Sequence, residues 1–298
     1  MRLGSEIEAF ERDGVVCLRG VLSTDWIQRM QAPFEEALRR PASTDLGALA
    51  RGIRASGGEI LAEGPADDGA IGEAGFVGGR DHWLDQPEFR AFATESPLPE
   101  IAAMLMRSAK VNLYEDSVLV KEPGTPLATA FHQDLAYFHV EGSQVCTFWR
   151  PLDPATPETG ALSYVKGSHR WGRLFRPNLF VSRASIPGTE GEEVPDIERE
   201  SGRHDFLHFD MQPGDVAVHH ARTLHGAPAN GSLQVRRRAI SVRYCGDDAR
   251  YRIRPGAPMK PHHAEEVEGR VLDRDECPVV WRRRGGPEAR TEREGSVT

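Results

Sequence analysis

The segment FHQDLAYF, residues 131–138 of 298, carries a histidine and an aspartate two positions apart. If the segment is a strand, alternation places His132 and Asp134 on one face and Gln133 on the other. An imidazole nitrogen and a carboxylate then converge on one point. Two imidazoles and one carboxylate, with three adjacent positions left open, form a ligand set typical of non-haem Fe(II) oxygenases. The spacing therefore predicts two of the three protein ligands of a metal site.

The remaining ligand is expected on a strand late in the chain, where folding could bring it beside His132. The segment VAVHHARTLHG, residues 216–226, offers His219, His220 and His225. A second His-x-Asp pair, at residues 208 and 210, shows that this spacing also arises by chance. It precedes a Pro-Gly-Asp turn, where an aspartate more often caps the backbone than binds metal.

Composition indicates an ordinary globular protein, with 39% hydrophobic and 28% charged residues. The charged start and the lack of a long apolar run predict neither a signal peptide nor a membrane span. Four scattered cysteines without a CxxC pair suggest reduced thiols and a cytoplasmic location. The formal charge of −8 argues against nucleic acid as a partner of the whole chain, despite short basic runs at residues 236–238 and 282–284.

Helices are predicted mainly in the first third of the chain. Apolar periodicity indicates helices at residues 5–13, at 26–40 after an N-cap at Ser23, and at 87–107 with a break near two prolines. Residues 41–80 are rich in Gly, Ala and Asp with little periodicity, which predicts a long mobile loop or lid.

From Val111 onward, short alternating segments punctuated by Gly and Pro predict an antiparallel barrel or sandwich. Residues 173–203 interrupt this rhythm with prolines and acidic residues and are interpreted as a second lid insertion. The chain is expected to be mainly β with flanking helices, forming one domain over residues 1–284. Residues 285–298 are expected to be a disordered tail.

Several blocks, in this order and spacing, resemble the phytanoyl-CoA dioxygenase family of Fe(II)/2-oxoglutarate oxygenases. They are FERDGVVCLRGVLS, VKEPGT, FHQDLAYF, FWRPLD, ETGALSYVKGSH, PGDVAVHHARTLHGAPAN and RRRAISVRY. The resemblance implies a double-stranded β-helix core, the cupin-like jelly roll. It assigns the iron ligands to His132, Asp134 and His225, and leaves His219 and His220 as strand residues or residues behind the ligands.

The family binds the far carboxylate of 2-oxoglutarate with an arginine on the strand after the distal histidine. A guanidinium suits this role because it pairs with a carboxylate through two hydrogen bonds and keeps its charge. Counting back from Ala239 gives Arg237, whereas counting from the histidine in some members gives Arg236. Arg237 is preferred because the register of the strand around Ala239 and Ser241 is better preserved within the family than the length of the loop at residues 231–234. Arg236 and Arg238 are interpreted as a solvated basic edge.

Two further residues match family positions near the cosubstrate. Trp149 lies in FWRPLD and matches a family tryptophan, and Lys121 lies in VKEPGT and matches a basic residue near the oxoacid. Core packing of the tryptophan and a surface lysine whose stem covers apolar atoms are equally good interpretations.

The resemblance implies an enzyme that uses Fe(II), 2-oxoglutarate and O2 to hydroxylate a small molecule, releasing succinate and CO2. Asp134 favours hydroxylation or desaturation over halogenation, since related halogenases lack this carboxylate. A CoA ester would need a basic patch for its phosphates, which the acidic composition disfavours. Substrate identity and oligomeric state stay open. The alternatives are a cupin-like Zn(II) or Mn(II) enzyme with non-oxidative chemistry and an inactive small-molecule-binding barrel.

Overall fold

The computed structural model describes residues 3–63, 75–265, 268–272 and 274–283. Within these ranges, no helix combines the length and hydrophobicity needed to cross a membrane. The helices are α1 (Gly4–Asp13), α2 (Thr24–Arg29), α3 (Gln31–Leu38), α4 (Leu46–Ala55), α5 (Pro87–Glu95) and α6 (Leu98–Leu105). The strands are β1 (Val15–Leu18), β2 (Ser43–Asp45), β3 (Phe76–Arg80), β4 (Lys110–Lys121), β5 (Thr129–His132), β6 (Val140–Glu141), β7 (Val145–Pro151), β8 (Ser163–Val165), β9 (Phe206–His208), β10 (Val216–His220), β11 (His225–Ala227), β12 (Arg237–Cys245), β13 (Arg250–Tyr251) and β14 (Val279–Arg282).

Two antiparallel sheets form the centre of the molecule. The large sheet has the order β1-β10-β7-β12-β4-β3-β2, with β14 also paired to β4, and the small sheet has the order β5-β11-β8-β9. Strands β13 and β6 form a separate two-stranded pair. The prediction of a mainly β chain with antiparallel strands is confirmed.

The large sheet presents different residues on its two faces because side chains alternate along each strand. Its outer face is apolar and packs against the helices, with Phe148, Ile240 and Val242 in the same buried cluster as Phe89 and Phe92 of α5. Its inner face, turned toward the small sheet, carries most of the buried polar side chains that surround the site described below.

The predicted helix over residues 26–40 is instead two helices, α2 and α3, that meet at Met30. Pro33 explains the break, since it has no N–H to donate to the carbonyl four residues earlier and its ring crowds that turn. The predicted N-cap is confirmed, because the Ser23 hydroxyl accepts a hydrogen bond from the Trp26 amide at 3.4 Å.

The prediction that residues 41–80 form a structureless lid is wrong for the described part of that range. Strands β2 and β3 extend the large sheet, and α4 lies between them in sequence. Asp45 caps α4 by accepting hydrogen bonds from the amides of Gly47 and Ala48 at 2.8 and 3.1 Å. The sequence does carry a signal for this helix, because Leu46, Leu49 and Ile53 fall at helical spacing after the Asp45 cap. Residues 64–74 of the predicted lid lie outside the described residues.

The second predicted insertion, residues 173–203, contains one short 3-10 helix and isolated bridges but no α-helix or named strand. It packs beside the small sheet, where the Phe180 carbonyl accepts a hydrogen bond from the Ala130 amide at 2.8 Å. The Val181 carbonyl accepts another from Leu61, also at 2.8 Å. The segment therefore connects β5 to the chain beyond α4. The predicted tail, residues 285–298, lies outside the described residues.

Candidate metal centre and its surroundings

The small sheet and the turn that follows β5 bring His132, Asp134 and His225 together. His132 ends β5, His225 begins β11, and the two are direct partners across the antiparallel pair. One potential ligand atom from each of the three residues lies within 4.8 Å of the others, and all three residues are buried. Among the described residues, this is the group of His, Cys, Asp and Glu side chains that could hold a metal ion.

The prediction that FHQDLAYF is one continuous strand is wrong. The strand stops at His132, and Asp134 begins a 3-10 helix that runs to Tyr137. The turn is stabilised by the Leu135 amide, which donates to the Ala221 carbonyl at 2.9 Å. His132 and Asp134 still converge, but the turn, and not strand alternation, brings the carboxylate to the imidazole.

Both imidazoles are oriented by backbone carbonyls two residues before them. The Nδ1–H of His132 donates to Ala130 at 2.8 Å, and the Nδ1–H of His225 donates to Thr223 at 3.0 Å. These bonds leave each Nε2 lone pair for the site, where both Nε2 atoms lie 3.7 Å from Oδ1 of Asp134. Fixing the tautomer through the second ring nitrogen is how metal-binding histidines are usually prepared.

The two oxygens of Asp134 have different neighbours. Oδ1 faces the two imidazoles, whereas Oδ2 accepts a hydrogen bond from the Thr147 hydroxyl at 2.5 Å and lies 3.2 Å from Nε2 of His219. Thr147 and His219 are partners across β7 and β10. A carboxylate held through one oxygen presents the other to a metal, which leaves more positions open for further ligands.

Charges at the site favour the forms that bind a metal. Burial alone would raise the pKa of Asp134, but His225, His132 and His219 outweigh it and hold that pKa well below its ordinary value. Burial, reinforced by His219 and His132, lowers the pKa of His225 well below the ordinary histidine value. An ionised carboxylate beside a neutral imidazole is the state that coordination requires.

Arg237, on β12, is buried and lines a small cavity of about 40 Å³ together with the three candidate ligands. Burial lowers its pKa to about 10, so the guanidinium keeps its charge at neutral pH. Its Nε and Nη1 atoms have no hydrogen-bond partner among the described residues. Leaving a buried charge unpaired costs about 3–5 kcal/mol. A carboxylate bound in this cavity would remove that cost, so the residues fit a dicarboxylic oxoacid chelated at the metal.

The two neighbouring arginines are already paired. Arg236 contacts Glu35 and Glu122, each at 2.8 Å. Arg238 contacts Asp153 at 2.7 Å and Glu35 at 2.8 Å. The prediction of a solvated basic edge is wrong in this respect, because carboxylates from α3 and from the ends of β4 and β7 engage both guanidiniums. Arg237 is thus the arginine of the three that remains available to an anion.

Trp149 and Lys121 are both buried on the inner side of the large sheet. Trp149 lines the cavity, with its ring centre 5.9 Å from the Arg237 guanidinium. Lys121 is the cross-strand partner of Arg237, but its ammonium donates to the Pro228 carbonyl at 2.6 Å. Burial, together with Arg237, lowers the pKa of Lys121 well below its ordinary value. The lysine is therefore not a surface residue, and its ammonium is engaged by backbone.

The other histidines are placed away from the ligand positions. His219 lies behind Asp134, and His220 points to the opposite face of β10, with Nε2 2.8 Å from the Ser143 carbonyl. His208 and Asp210 of the second His-x-Asp pair are exposed. Strand β10 ends at His220, and the turn after it carries the chain from the large sheet to the small one.

Gln133, between the two candidate ligands, points away from the metal position. Its side-chain amide donates to the carbonyls of Arg222 and Arg173 at 2.8 and 3.3 Å and accepts from the Phe175 amide at 3.1 Å. It thus ties the ligand-bearing turn both to the segment before β11 and to the insertion at residues 173–203.

A larger cavity of about 350 Å³ opens onto His132 and Asp134. The insertion at residues 173–203 lines one side, and α4 with β3 lines another. Its volume lies in the range of ligand pockets. Sequence reasoning assigned no role to most of this lining, including Arg243, because strand register decides which side chains of a strand face the cavity.

Residues 10–239 match the family model described as phytanoyl-CoA dioxygenase (PhyH). The chain belongs to the phytanoyl-CoA dioxygenase family. It is 24% identical over 273 residues to "Phytanoyl-CoA dioxygenase, peroxisomal" of Rattus norvegicus, covering 87% of this chain and 73% of that protein. It is 25% identical over 191 residues to "Probable phytanoyl-CoA dioxygenase" of Caenorhabditis elegans, covering 62% of this chain and 59% of that protein.

Among solved structures, the non-haem alpha-ketoglutarate-dependent carbocyclase SnoK from nogalamycin biosynthesis is similar along nearly the whole length. The identity is 25%, the TM-score is 0.68, and the match covers 93% of this chain and 96% of that one. The jelly-roll prediction is confirmed. Together with the phytanoyl-CoA dioxygenase match, the similarity also confirms the prediction of a non-haem iron oxygenase that uses 2-oxoglutarate.

Proposed function

We propose that the protein hydroxylates an unactivated C–H bond of a small molecule, using Fe(II), 2-oxoglutarate and O2 and releasing succinate and CO2. His132, Asp134 and His225 hold the iron, and Arg237 binds the far carboxylate of 2-oxoglutarate. The observation that carries the proposal is one cavity that contains three side chains able to hold a metal and a buried guanidinium whose Nε and Nη1 have no hydrogen-bond partner among the described residues.

Bound Fe(II) and the oxoacid would activate O2, the oxidant that cleaves the C–H bond, which no side chain can do. The chain's own residues arrange and protect this chemistry. Thr147 and His219 keep Oδ2 of Asp134 occupied, so that the carboxylate takes one coordination position. Arg237 orients the oxoacid, and the Trp149 side chain forms part of the wall of the small cavity. Phe180 of the insertion lies with its ring centre 5.2 Å from that of His132 and excludes water from this side.

The reaction outcome is the finer part of the proposal. Asp134 occupies the carboxylate position of the ligand set, which supports oxidation of a C–H bond over halogenation. Proteins of similar structure include a carbocyclase and an epimerase, so related folds carry more than one outcome. Hydroxylation is proposed here because it requires no further group beyond the metal, the oxoacid and O2.

The organisation of the chain belongs to the same proposal. Residues 1–284 are taken as one oxygenase domain, in which residues 173–203 cover the cavity. The partner is a small molecule and not nucleic acid. A cytoplasmic location is supported by the four cysteines, which form no disulfide.

The test is an anaerobic titration of the apo protein with Fe(II) and then 2-oxoglutarate, following the weak visible charge-transfer band of the iron chelate. We expect the band in wild type and in Arg236→Ala, and a strongly weakened band in Arg237→Ala. Succinate release with candidate substrates would then identify the reaction. Iron binding without a band would overturn the oxygenase proposal and support the cupin-like alternative.

A further inference from the structure

A row of polar side chains crosses the inner face of the large sheet beside the metal position. His219 of β10 is the partner of Thr147 of β7, Thr147 is the partner of Arg243 of β12, and Arg243 is the partner of Glu115 of β4. Neighbouring strands lie about 4.8 Å apart. The row therefore begins with His219 and Thr147, which contact Asp134, and ends at Glu115 of β4 in the wall of the larger cavity.

Glu115 is already balanced by cations. Its carboxylate lies 3.0 Å from Nζ of Lys260 and 3.6 Å from Nη1 of Arg243. Lys260 is itself engaged, because it also contacts Asp81 at 2.7 Å. The wall thus has no carboxylate left to attract a cationic ligand.

Arg243 is less completely engaged. Its Nη1 donates to the Ser117 hydroxyl at 2.6 Å, while its Nε has no hydrogen-bond partner among the described residues. The side chain is 11% exposed and lines both the larger cavity and the small one at the metal. Arg80, the cross-strand partner of Ser117, lines the same cavity. A guanidinium with an unused donor at the junction of two cavities is a binding site for an acceptor.

The charges of this wall do not cancel. Three cationic side chains, Arg80, Arg243 and Lys260, face two carboxylates, Asp81 and Glu115. Burial, reinforced by Glu115, raises the pKa of Asp81, while Lys260 opposes that shift. In a partly dehydrated cavity such an excess is compensated most simply by an anionic group of the ligand.

The rest of the larger cavity is apolar. Its opposite walls are formed mainly by aliphatic and aromatic side chains from α4, the insertion and the segment before Lys260: Leu46, Leu49, Leu179, Phe180, Ile186 and Pro258. We infer that the substrate is a mainly apolar small molecule with one carboxylate, and that Arg243 binds this carboxylate. That the bound molecule is a substrate rests on the proposed function, but the anion site itself does not.

The inference is tested with two sets of matched probes. The first is 1-naphthylacetate, 2-(1-naphthyl)ethanol and 2-(1-naphthyl)ethylamine; the second is octanoate, octanol and octylamine. Binding is measured by calorimetry on protein saturated with Zn(II) and N-oxalylglycine, which occupy the metal position and Arg237. A hydrogen-bonded charge contributes enough for about ten- to a hundredfold tighter binding, so each carboxylate should exceed its alcohol by that factor. Each amine should bind most weakly.

Arg243→Gln should abolish the preference for the carboxylates, and Arg243→Lys should retain part of it. Glu115 keeps Lys260 in both variants, so neither leaves a buried carboxylate unpaired. Arg236→Gln is the matched control, since Arg236 is paired outside the cavity and its loss should not change probe binding. Thermal melting establishes that each variant is folded.

Two outcomes would overturn the inference: carboxylates that bind no better than alcohols in both sets, or a preference that persists in Arg243→Gln. The iron chelate band, measured on the same protein, separates this result from the proposed function. A normal iron chelate band with no charge preference refutes the anion site alone. An absent band with an Arg243-dependent preference refutes the oxygenase proposal and supports the anion site.

Discussion

The two sheets contribute different things to the candidate site. The small sheet, through the ends of β5 and β11 and the turn after β5, supplies the three residues that can bind a metal. The large sheet supplies none of them, but its inner face carries side chains that contact Asp134 and two arginines, Arg237 and Arg243, that line the cavity and are proposed to bind organic anions. Mutations in the small sheet should therefore affect metal binding, and mutations of the arginines in the large sheet should affect anion binding.

The largest effect is expected within the small sheet. His225→Ala removes an oriented imidazole, and we expect Fe(II) affinity to fall by more than about a hundredfold, beyond the range typical of residues behind the ligands. His208→Ala, on β9 of the same sheet, is exposed and should leave affinity unchanged. Calorimetry with Fe(II) under anaerobic conditions measures both. Equal affinities in the two variants would contradict the assignment of His225.

A change on the large sheet should affect the oxoacid and spare the metal. Arg237→Lys keeps the positive charge but loses the two-pronged geometry, so we expect 2-oxoglutarate to bind about ten- to a hundredfold more weakly. Fe(II) affinity should stay within about twofold of wild type, since in this scheme only residues behind the ligands influence the metal. A parallel loss of iron binding would show that the two sheets do not act separately.

Thr147 tests the connection between the sheets. Thr147→Val keeps the shape but removes the hydroxyl that donates to Asp134. Loss of such an outer partner typically weakens metal affinity about 10- to 100-fold, and the lower end is expected because His219 remains. Thr147→Ser should restore most of the affinity. If the valine and serine variants bind Fe(II) equally well, the hydroxyl does not position the carboxylate.

The smallest effect on the site should come from the outer face of the large sheet. Asp116 is fully buried there, and burial raises its pKa to about 8. The unfolded chain ionises this group near its ordinary pKa, so between about pH 4 and 8 the folded state holds the extra proton and this group lowers stability as pH rises.

Replacing Asp116 by Asn should remove that loss. We expect the variant to melt about 2–5 °C above wild type at pH 8 and close to wild type at pH 5. Iron and 2-oxoglutarate affinities should not change. A Tm difference that is the same at both pH values would show that Asp116 is not protonated in the folded protein.

Sequence motifs identified the candidate metal ligands. They did not identify the side chains whose role depends on cross-strand pairing or on ion pairs with distant residues. Block order pointed to His132, Asp134 and His225, and the structure groups them, although it does so through a turn and not the alternation that suggested the first pair. Arg237 could be preferred over its neighbours from strand register. Its isolation could not be foreseen, because the carboxylates that engage Arg236 and Arg238 come from distant parts of the chain.

Thr147 and Arg243 illustrate what was out of reach. Thr147 lies in an alternating segment and Arg243 in the RRRAISVRY block, but neither position marks a role by itself, and their importance follows from being partners across β7 and β12. Cross-strand partners are set by long-range pairing, which local periodicity does not encode. Helix α4, by contrast, was within reach of the sequence, because Leu46, Leu49 and Ile53 fall at helical spacing, and the Gly- and Asp-rich composition of the surrounding segment was given too much weight.

The hydrogen bonds of Gln133 connect the insertion at residues 173–203 to His132 and Asp134, which lie on either side of Gln133 in the chain. The Gln133 side chain hydrogen-bonds to the backbone of Arg173 and Phe175. A displacement of the insertion would therefore also displace the turn between His132 and Asp134. A molecule that settles under the insertion would therefore change the ligand field of the metal without touching it. In this protein the electronic spectrum of the metal should act as a built-in reporter of whether the cavity is filled.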